Sequence, residues 1–236
     1  MVIKGEMQMK KSLLAVMLFT AFNANAASSN LISNGSFEAY DVNDNSFAHI
    51  ASNCTGVPVN CINNTSTWQP SAGAPNEFLE IQNNYSPSVA APVFNDAQDG
   101  VRYAELNPLG QSGITQSFNA SVGLGTVSWW SKSRFSGATF PYQVLLNGTS
   151  IFNGSASGTD WSQNLLSGLS LLQGTNTLTF NSLFNGITGV GADIGAHIDN
   201  ISVIQPSVAA IPEPETYAMF LAGLGLLGFA ARRRQS

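Results

Sequence analysis

Hydrolytic chemistry on a biopolymer needs a nucleophile beside a base, or two carboxylates flanking one bond. The sequence offers few such groups. Its only histidines are His49 and His197, far apart in the chain. No serine sits in a Gly-x-Ser-x-Gly elbow. Glu77 and Glu80 are three residues apart on an expected strand, so they face opposite ways and cannot flank one bond. Glu105 could act with a distant acid, but nothing in the sequence pairs it with one. These residues point away from an enzyme. Cys54 and Cys61 are the only cysteines, and neither histidine lies beside them. That pattern suits a disulfide closing a small loop better than a metal site. Asp199 shares a strand face with Ile201 and Val203, where an uncompensated carboxylate is costly. Asp41-Val42-Asn43-Asp44-Asn45 has half the spacing of a calcium loop, but Ser46 stands for the required glycine and Ser52 for the closing glutamate. Trp68, Trp130 and Trp161 are the aromatic candidates for stacking on a sugar ring.

Short strands must position these groups. Gly, Ser, Asn and Thr are abundant, and residues 27–207 contain no amphipathic helix pattern. Strands are expected at Leu31 to Glu38 around an Asn-Gly turn, Phe78 to Ile81, Arg102 to Leu106, Ile114 to Phe118 and Gly125 to Lys132. Others are expected at Phe140 to Leu146, Ser150 to Phe152, Trp161 to Leu166, Asn176 to Asn181 and Ala196 to Ile204. Val127 and Trp129 alternate with Ser128 and Trp130, so one tryptophan of the pair faces away from the core. Asn43 to Thr67 is polar and pinned by the cysteines, and it reads as a surface excursion. Many short strands at regular spacing predict an all-β, two-sheet sandwich in one domain. Charged residues are 10% of the chain. Residues 27–207 carry eleven carboxylates against Arg102, Lys132 and Arg134. Such an acidic body excludes nucleic acid as a partner.

The two ends read differently. Lys10-Lys11 precedes an apolar run from Leu13 to Phe22, and Ala24-Asn25-Ala26 supplies a small-x-small cleavage pattern. Residues 1–26 therefore read as a secretory signal peptide. At the other end, Ile211-Pro212-Glu213-Pro214-Glu215-Thr216 leads into an uncharged stretch to Ala231, followed by Arg232, Arg233 and Arg234. A helix over 216–231 spans about 24 Å, short of a hydrocarbon core of roughly 30 Å. Snorkelling arginines and local thinning let such a helix span. The arginines favour a cytoplasmic C-terminus, which leaves residues 27–207 facing the periplasm on the inner membrane. Gly223-Leu224-Gly225-Leu226-Leu227-Gly228 has dinucleotide-loop spacing but follows no strand, so its glycines serve helix packing instead.

Two resemblances follow. Residues 208–236, with Pro212-Glu213-Pro214, a Gly/Leu/Ala transmembrane helix and a basic tail, resemble the PEP-CTERM sorting signal of Gram-negative exported proteins. That resemblance implies processing by an exosortase, a membrane protease-transpeptidase. It also implies passage to the cell surface or extracellular polysaccharide matrix. Residues 27–207 resemble galactose-binding-like jelly rolls, the fold of many carbohydrate-binding modules. The pieces are Asn30 to Glu38, Trp68 with Phe78-Leu79-Glu80-Ile81, Asp99 to Asn107, Gly113 to Phe118, and Ile198 to Val203. The inserted Cys54 to Cys61 loop departs from that pattern. The second resemblance implies an antiparallel jelly-roll sandwich, glycan binding, and a structural calcium where Glu38 meets Asp199. The alternative for those carboxylates is hydrogen bonding to turn amides. The function expected is thus an exported, non-catalytic, glycan-binding surface or matrix protein. A polysaccharide hydrolase or lyase, or a structural matrix protein binding other proteins, are the alternatives.

Overall fold

A computed structural model describes residues 28–51, 54, 60–63, 67–71, 79–84, 96–106, 113–184, 195–206 and 214–233. The strands are β1 (Ser46–Ala51), β2 (Cys61–Asn63), β3 (Gln69–Pro70), β4 (Leu79–Asn83), β5 (Arg102–Glu105) and β6 (Gly113–Ala120). They continue with β7 (Gly123–Ser133), β8 (Thr139–Leu146), β9 (Thr149–Ser157), β10 (Ser162–Leu171), β11 (Gly174–Ser182) and β12 (Ala196–Ile204). They form a seven-stranded sheet, β10-β7-β12-β5-β4-β1-β2, and a five-stranded sheet, β3-β6-β11-β8-β9. Every pairing is antiparallel except β1 with β2. This is the expected jelly-roll sandwich.

Alternation decides what lies between the sheets. Val127 and Trp129 of β7 point inward, as do Tyr142, Val144 and Leu146 of β8 and Leu178 and Phe180 of β11, and all are buried. Trp129 is central. Its indole packs edge-on against Phe152 and Phe180, with centroids 5.1 and 5.6 Å away. Its Nε1 donates to the Tyr142 hydroxyl at 2.9 Å, which satisfies the one polar atom the ring carries into the core.

Two segments depart from the expected strands. Leu31 to Glu38 is a series of turns, with only Asn30 bridged to Ile204. Asn34 and Phe37 have φ of 52° and 61°, a left-handed conformation that breaks regular strand geometry. The turn docks closely on β12: Ile201 N–H donates to Gly35 O at 2.9 Å, and a Cβ at Gly35 would lie 2.0 Å from Ile201 O. The excursion expected at Asn43 to Thr67 contains β1 and β2, so His49 lies on a strand within the sheet. The Cys54–Cys61 disulfide is formed, with a Cα–Cα separation of 5.6 Å.

Ser28–Pro206 is one compact unit. A separate helix, α1, runs over Pro214–Arg233 with Arg232 and Arg233 in its last turn. Helix entry at Pro214 follows from proline's fixed φ, which suits a first helical turn. Among the described residues no helix is long and apolar enough to cross a membrane. The span expected at 216–231 is therefore helical, but its uncharged run between Glu215 and Arg232 is short. Pro212, Glu213 and Arg234, and the signal peptide expected at 1–26, lie outside the described residues.

Candidate functional site

The outer face of the seven-stranded sheet gathers the buried charged groups of the described body. Strand register builds one row across it. Cys61 pairs with His49, His49 with Glu80, Glu80 with Glu105, Glu105 with His197, and His197 with Lys132. Paired residues share a face, so these side chains are neighbours on six adjacent strands. A second row holds Gln82 paired with Tyr103, and Asp199 with Trp130 and Gln163.

Two glutamates directly opposite each other repel unless other groups neutralise them. Arg134 Nη1 donates to both Glu105 oxygens at 2.9 and 2.8 Å. Gly195 N–H donates to Oε1 at 2.7 Å. The Gln82 amide bridges the pair, donating to Glu80 Oε1 at 2.8 Å and also to Glu105 Oε2. His49 Nε2 lies 3.1 Å from Glu80 Oε2. His49, Glu80, Gln82, Glu105, Arg134 and His197 are all buried.

The protonation states follow from these contacts. Burial pushes the Glu105 carboxyl up, but the Arg134 charge and the contacts with His197 outweigh it, and the net shift is downward. Burial lowers His197 below the usual histidine value, against the pull of Glu105, so its ring favours the neutral form. Burial likewise lowers Lys132, partly offset by Asp96. The Tyr103 phenol is pushed up, by burial first and then by the nearby Glu105 charge. A carboxylate held by both oxygens on a guanidinium has no proton to donate, so this row ties strands together rather than supplying an acid.

At the row's end, Lys132 Nζ donates to Asp96 O at 2.9 Å and lies 4.6 Å from the centre of the Trp161 ring. Trp161 Nε1 donates to the same Asp96 O at 2.9 Å. Trp161 is thus half-buried and occupied on its indole nitrogen. Trp130 is half-buried, like Trp161. Around Trp130 on the same face lie Gln163, Ser128, Leu165, Thr126 and Ser202, while its charged neighbours there, Asp199 paired across from it and Lys132 two residues on, are fully buried. Trp68, the third candidate for glycan contact, is a core residue with 0% exposure. Its ring packs on Phe37 and Phe180, and its Nε1 donates to Asn34 O at 3.0 Å.

Glu38 and Asp199 are separately satisfied. Glu38 Oε1 accepts from Val101 and Arg102 N–H at 2.8 and 2.7 Å, and Oε2 pairs with Arg102 Nη1 at 2.9 Å. The close approach requires Gly100, where a Cβ would lie 2.4 Å from Glu38 Oε1. Asp199 Oδ2 accepts from Gln98 and Asp99 N–H at 2.7 and 3.0 Å, and Oδ1 from Asn200 N–H at 2.7 Å. These N–H groups and the Arg102 guanidinium stand where a cation would need bare lone pairs, so the donor set does not fit a shared calcium. Among the described residues no three acidic, histidine or cysteine side chains group to hold a metal.

Sequence reasoning missed the row itself. Its signal was present: His49 between Ala48 and Ile50, Glu80 and Gln82 around Ile81, and His197 between Ala196 and Ile198 are polar residues at period two among apolar ones. Which strands lie side by side is not in that pattern.

Residues 210–234 match the family model described as the PEP-CTERM protein-sorting motif. The chain carries a PEP-CTERM sorting motif. Such a motif implies export, a C-terminal membrane anchor and processing by an exosortase. Among curated proteins, none matches the sequence. Solved structures similar to the chain include TmCBM61 in complex with β-1,4-galactotriose, at 16% identity and TM-score 0.47, covering 75% of this chain and 98% of that one. Another is the CBM22-1 xylan-binding domain of Paenibacillus barcinonensis Xyn10C, at 13% identity and TM-score 0.41, covering 61% and 89%. A third is a family 35 carbohydrate-binding module from Clostridium thermocellum, at 20% identity and TM-score 0.35, covering 52% and 88%.

Proposed function

We propose that the protein is an exported, non-catalytic β-sandwich that binds a neutral glycan at Trp130. An exosortase acts near Pro212-Glu213-Pro214, and the body then joins the cell surface or the extracellular polysaccharide matrix. Before processing, α1 holds the chain at the inner membrane with the body facing the periplasm. The observation that carries the glycan reading is the half-buried Trp130, flanked on its face by the hydroxyls of Ser128 and Ser202 and the amide of Gln163, with its paired carboxylate Asp199 fully buried. A sugar presents an apolar C–H face and a rim of hydroxyls. An indole supplies area for the first, and Gln163, Ser128 and Ser202 supply partners for the second. The ion-paired Glu105 supports the non-catalytic part, since a catalytic acid needs a proton at working pH.

A screen of the protein against neutral polysaccharides, including the host's own, tests this. Trp130→Ala should weaken binding by about tenfold or more, equivalent to at least ~1.4 kcal/mol. Retained affinity in that variant, or shortening of the polymer by the wild-type protein, would overturn the proposal.

A further inference from the structure

We infer that β10 is a docking edge for a second copy of this chain, joined two-fold and antiparallel so that two seven-stranded sheets become one. The strand ends its sheet and, among the described residues, pairs only with β7. An open edge presents unpaired backbone N–H and C=O groups, and soluble proteins blunt such edges with lysine, proline, short strands or bulges. Two of the three other edges follow that pattern. β2 has three residues and is tied by the Cys54–Cys61 disulfide, and β3 has two, one of them Pro70. β10 has ten residues with no charge and no proline. Its one interruption is the irregularity between Ser167 and Leu169, which leaves Ser162 to Ser167 in regular register.

Apolar exposure falls at the same place. Val122, Leu124, Leu165 and Leu172 are 74, 61, 59 and 54% exposed. All four belong to β7, β10 or the residues directly flanking them, and Gly123 pairs with Leu171, which brings Val122 and Leu172 together. β9 is also an uncharged edge, but none of the large exposed apolar side chains lies on it.

Charge selects the occupant. The body carries eleven carboxylates against three cations, so two copies repel over most approaches. Between Arg134 and Asp193 the single charged residue is Asp160. β10 against β10 therefore brings together the surfaces that do not repel. A register centred on Leu165 keeps the outer faces continuous, places Leu165 against its symmetry mate, and sets Gln163 opposite Ser167. The contact is small, so it suits chains concentrated in one plane, as the tail motif arranges before processing.

The test uses the full chain in detergent, followed by analytical ultracentrifugation. A concentration-dependent dimer is expected, with the dissociation constant raised about tenfold or more in Leu165→Lys. The melting curve should not change, because Leu165 is exposed. On non-reducing gels, Leu165→Cys should give a covalent dimer. Ser117→Cys, on the outer face of the other sheet, should not. A chain that stays monomeric, a dimer indifferent to Leu165→Lys, or equal cross-linking at both positions would overturn the inference. The readout is mass, so loss of all glycan binding with the dimer intact would sink the glycan reading alone.

Discussion

Glu105 and Asp199 are both carboxylates with 0% exposure, yet their environments push them in opposite directions. Burial raises both, and what sets the direction is the neighbour. Glu105 meets a guanidinium, while Asp199 meets three backbone amides, which carry only partial charge. Asp199 is accordingly pushed up to about 7, by burial first, with the amides of Asp99, Asn200 and Gln98 holding it back. Removing one partner of a buried pair leaves an uncompensated charge, so Arg134→Met should destabilise the fold by about 3–5 kcal/mol in urea unfolding. The sign for Asp199 is worked from its two pKa values. The folded value, about 7, exceeds the ordinary 3.8, so its contribution is complete below pH 3.8 and declines until about pH 7. His197 opposes this. Its folded pKa lies below the ordinary 6.5, so its contribution is present above 6.5 and lost as pH falls through the folded pKa. Asp199→Asn isolates the first effect. Wild-type stability minus that of the variant should fall between about pH 4 and 7 and stay level above. A flat difference would show that Asp199 does not titrate there.

At the scale of elements, strands with one wet face were legible. β7, β8 and β11 alternate apolar and polar side chains, and the ranges expected for them match to within a few residues. β12 was expected over Ala196 to Ile204, as found, although its first residues are buried on both faces. β1 and β4 are less regular: Ala48 to Ala51 and all of Leu79 to Asn83 are buried, so the outer row places His49 and Glu80 where alternation would put solvent. The sequence of β1, Ser-Phe-Ala-His-Ile-Ala, then carries no clear period, so it reads as part of a loop. The disulfide beside it was legible from cysteine count alone. It closes a loop of eight residues, and reduction should cost about 2.5 kcal/mol in the chain-entropy model. β2 contributes three register pairs at the sheet's end, so reduction should first release that strand. Hydrogen exchange at Ile62 and Asn63 should accelerate on reduction while exchange in β7 and β12 does not. Unchanged protection at Ile62 would mean that pairing with β1 suffices without the crosslink.

Over the whole molecule, addressing and recognition sit in different segments and were unequally legible. The tail is a contiguous motif, so its meaning survives in sequence order alone. The outer-face site is assembled from β1, β4, β5, β7, β10 and β12, whose adjacency depends on the sandwich topology, and no local pattern records it. That is why Trp130 could be named as a candidate but not separated from Trp68, which the fold places in the core. The same separation shapes the last prediction. Residues 210–234 match the sorting motif, and α1 begins at Pro214, so any cut near Pro212-Glu213-Pro214 falls before the helix. Proline does not continue a helix interior, which fits α1 starting at Pro214. A cut there detaches the basic Arg232 and Arg233 together with the helix. Mass spectrometry of protein recovered from the extracellular matrix should therefore find Ser28–Pro206 without any peptide beyond the Pro-Glu-Pro segment. Membranes of cells lacking the processing enzyme should retain the chain through Ser236. Recovery of Arg233-containing peptides from the matrix fraction would mean that the chain leaves the membrane without exosortase cleavage.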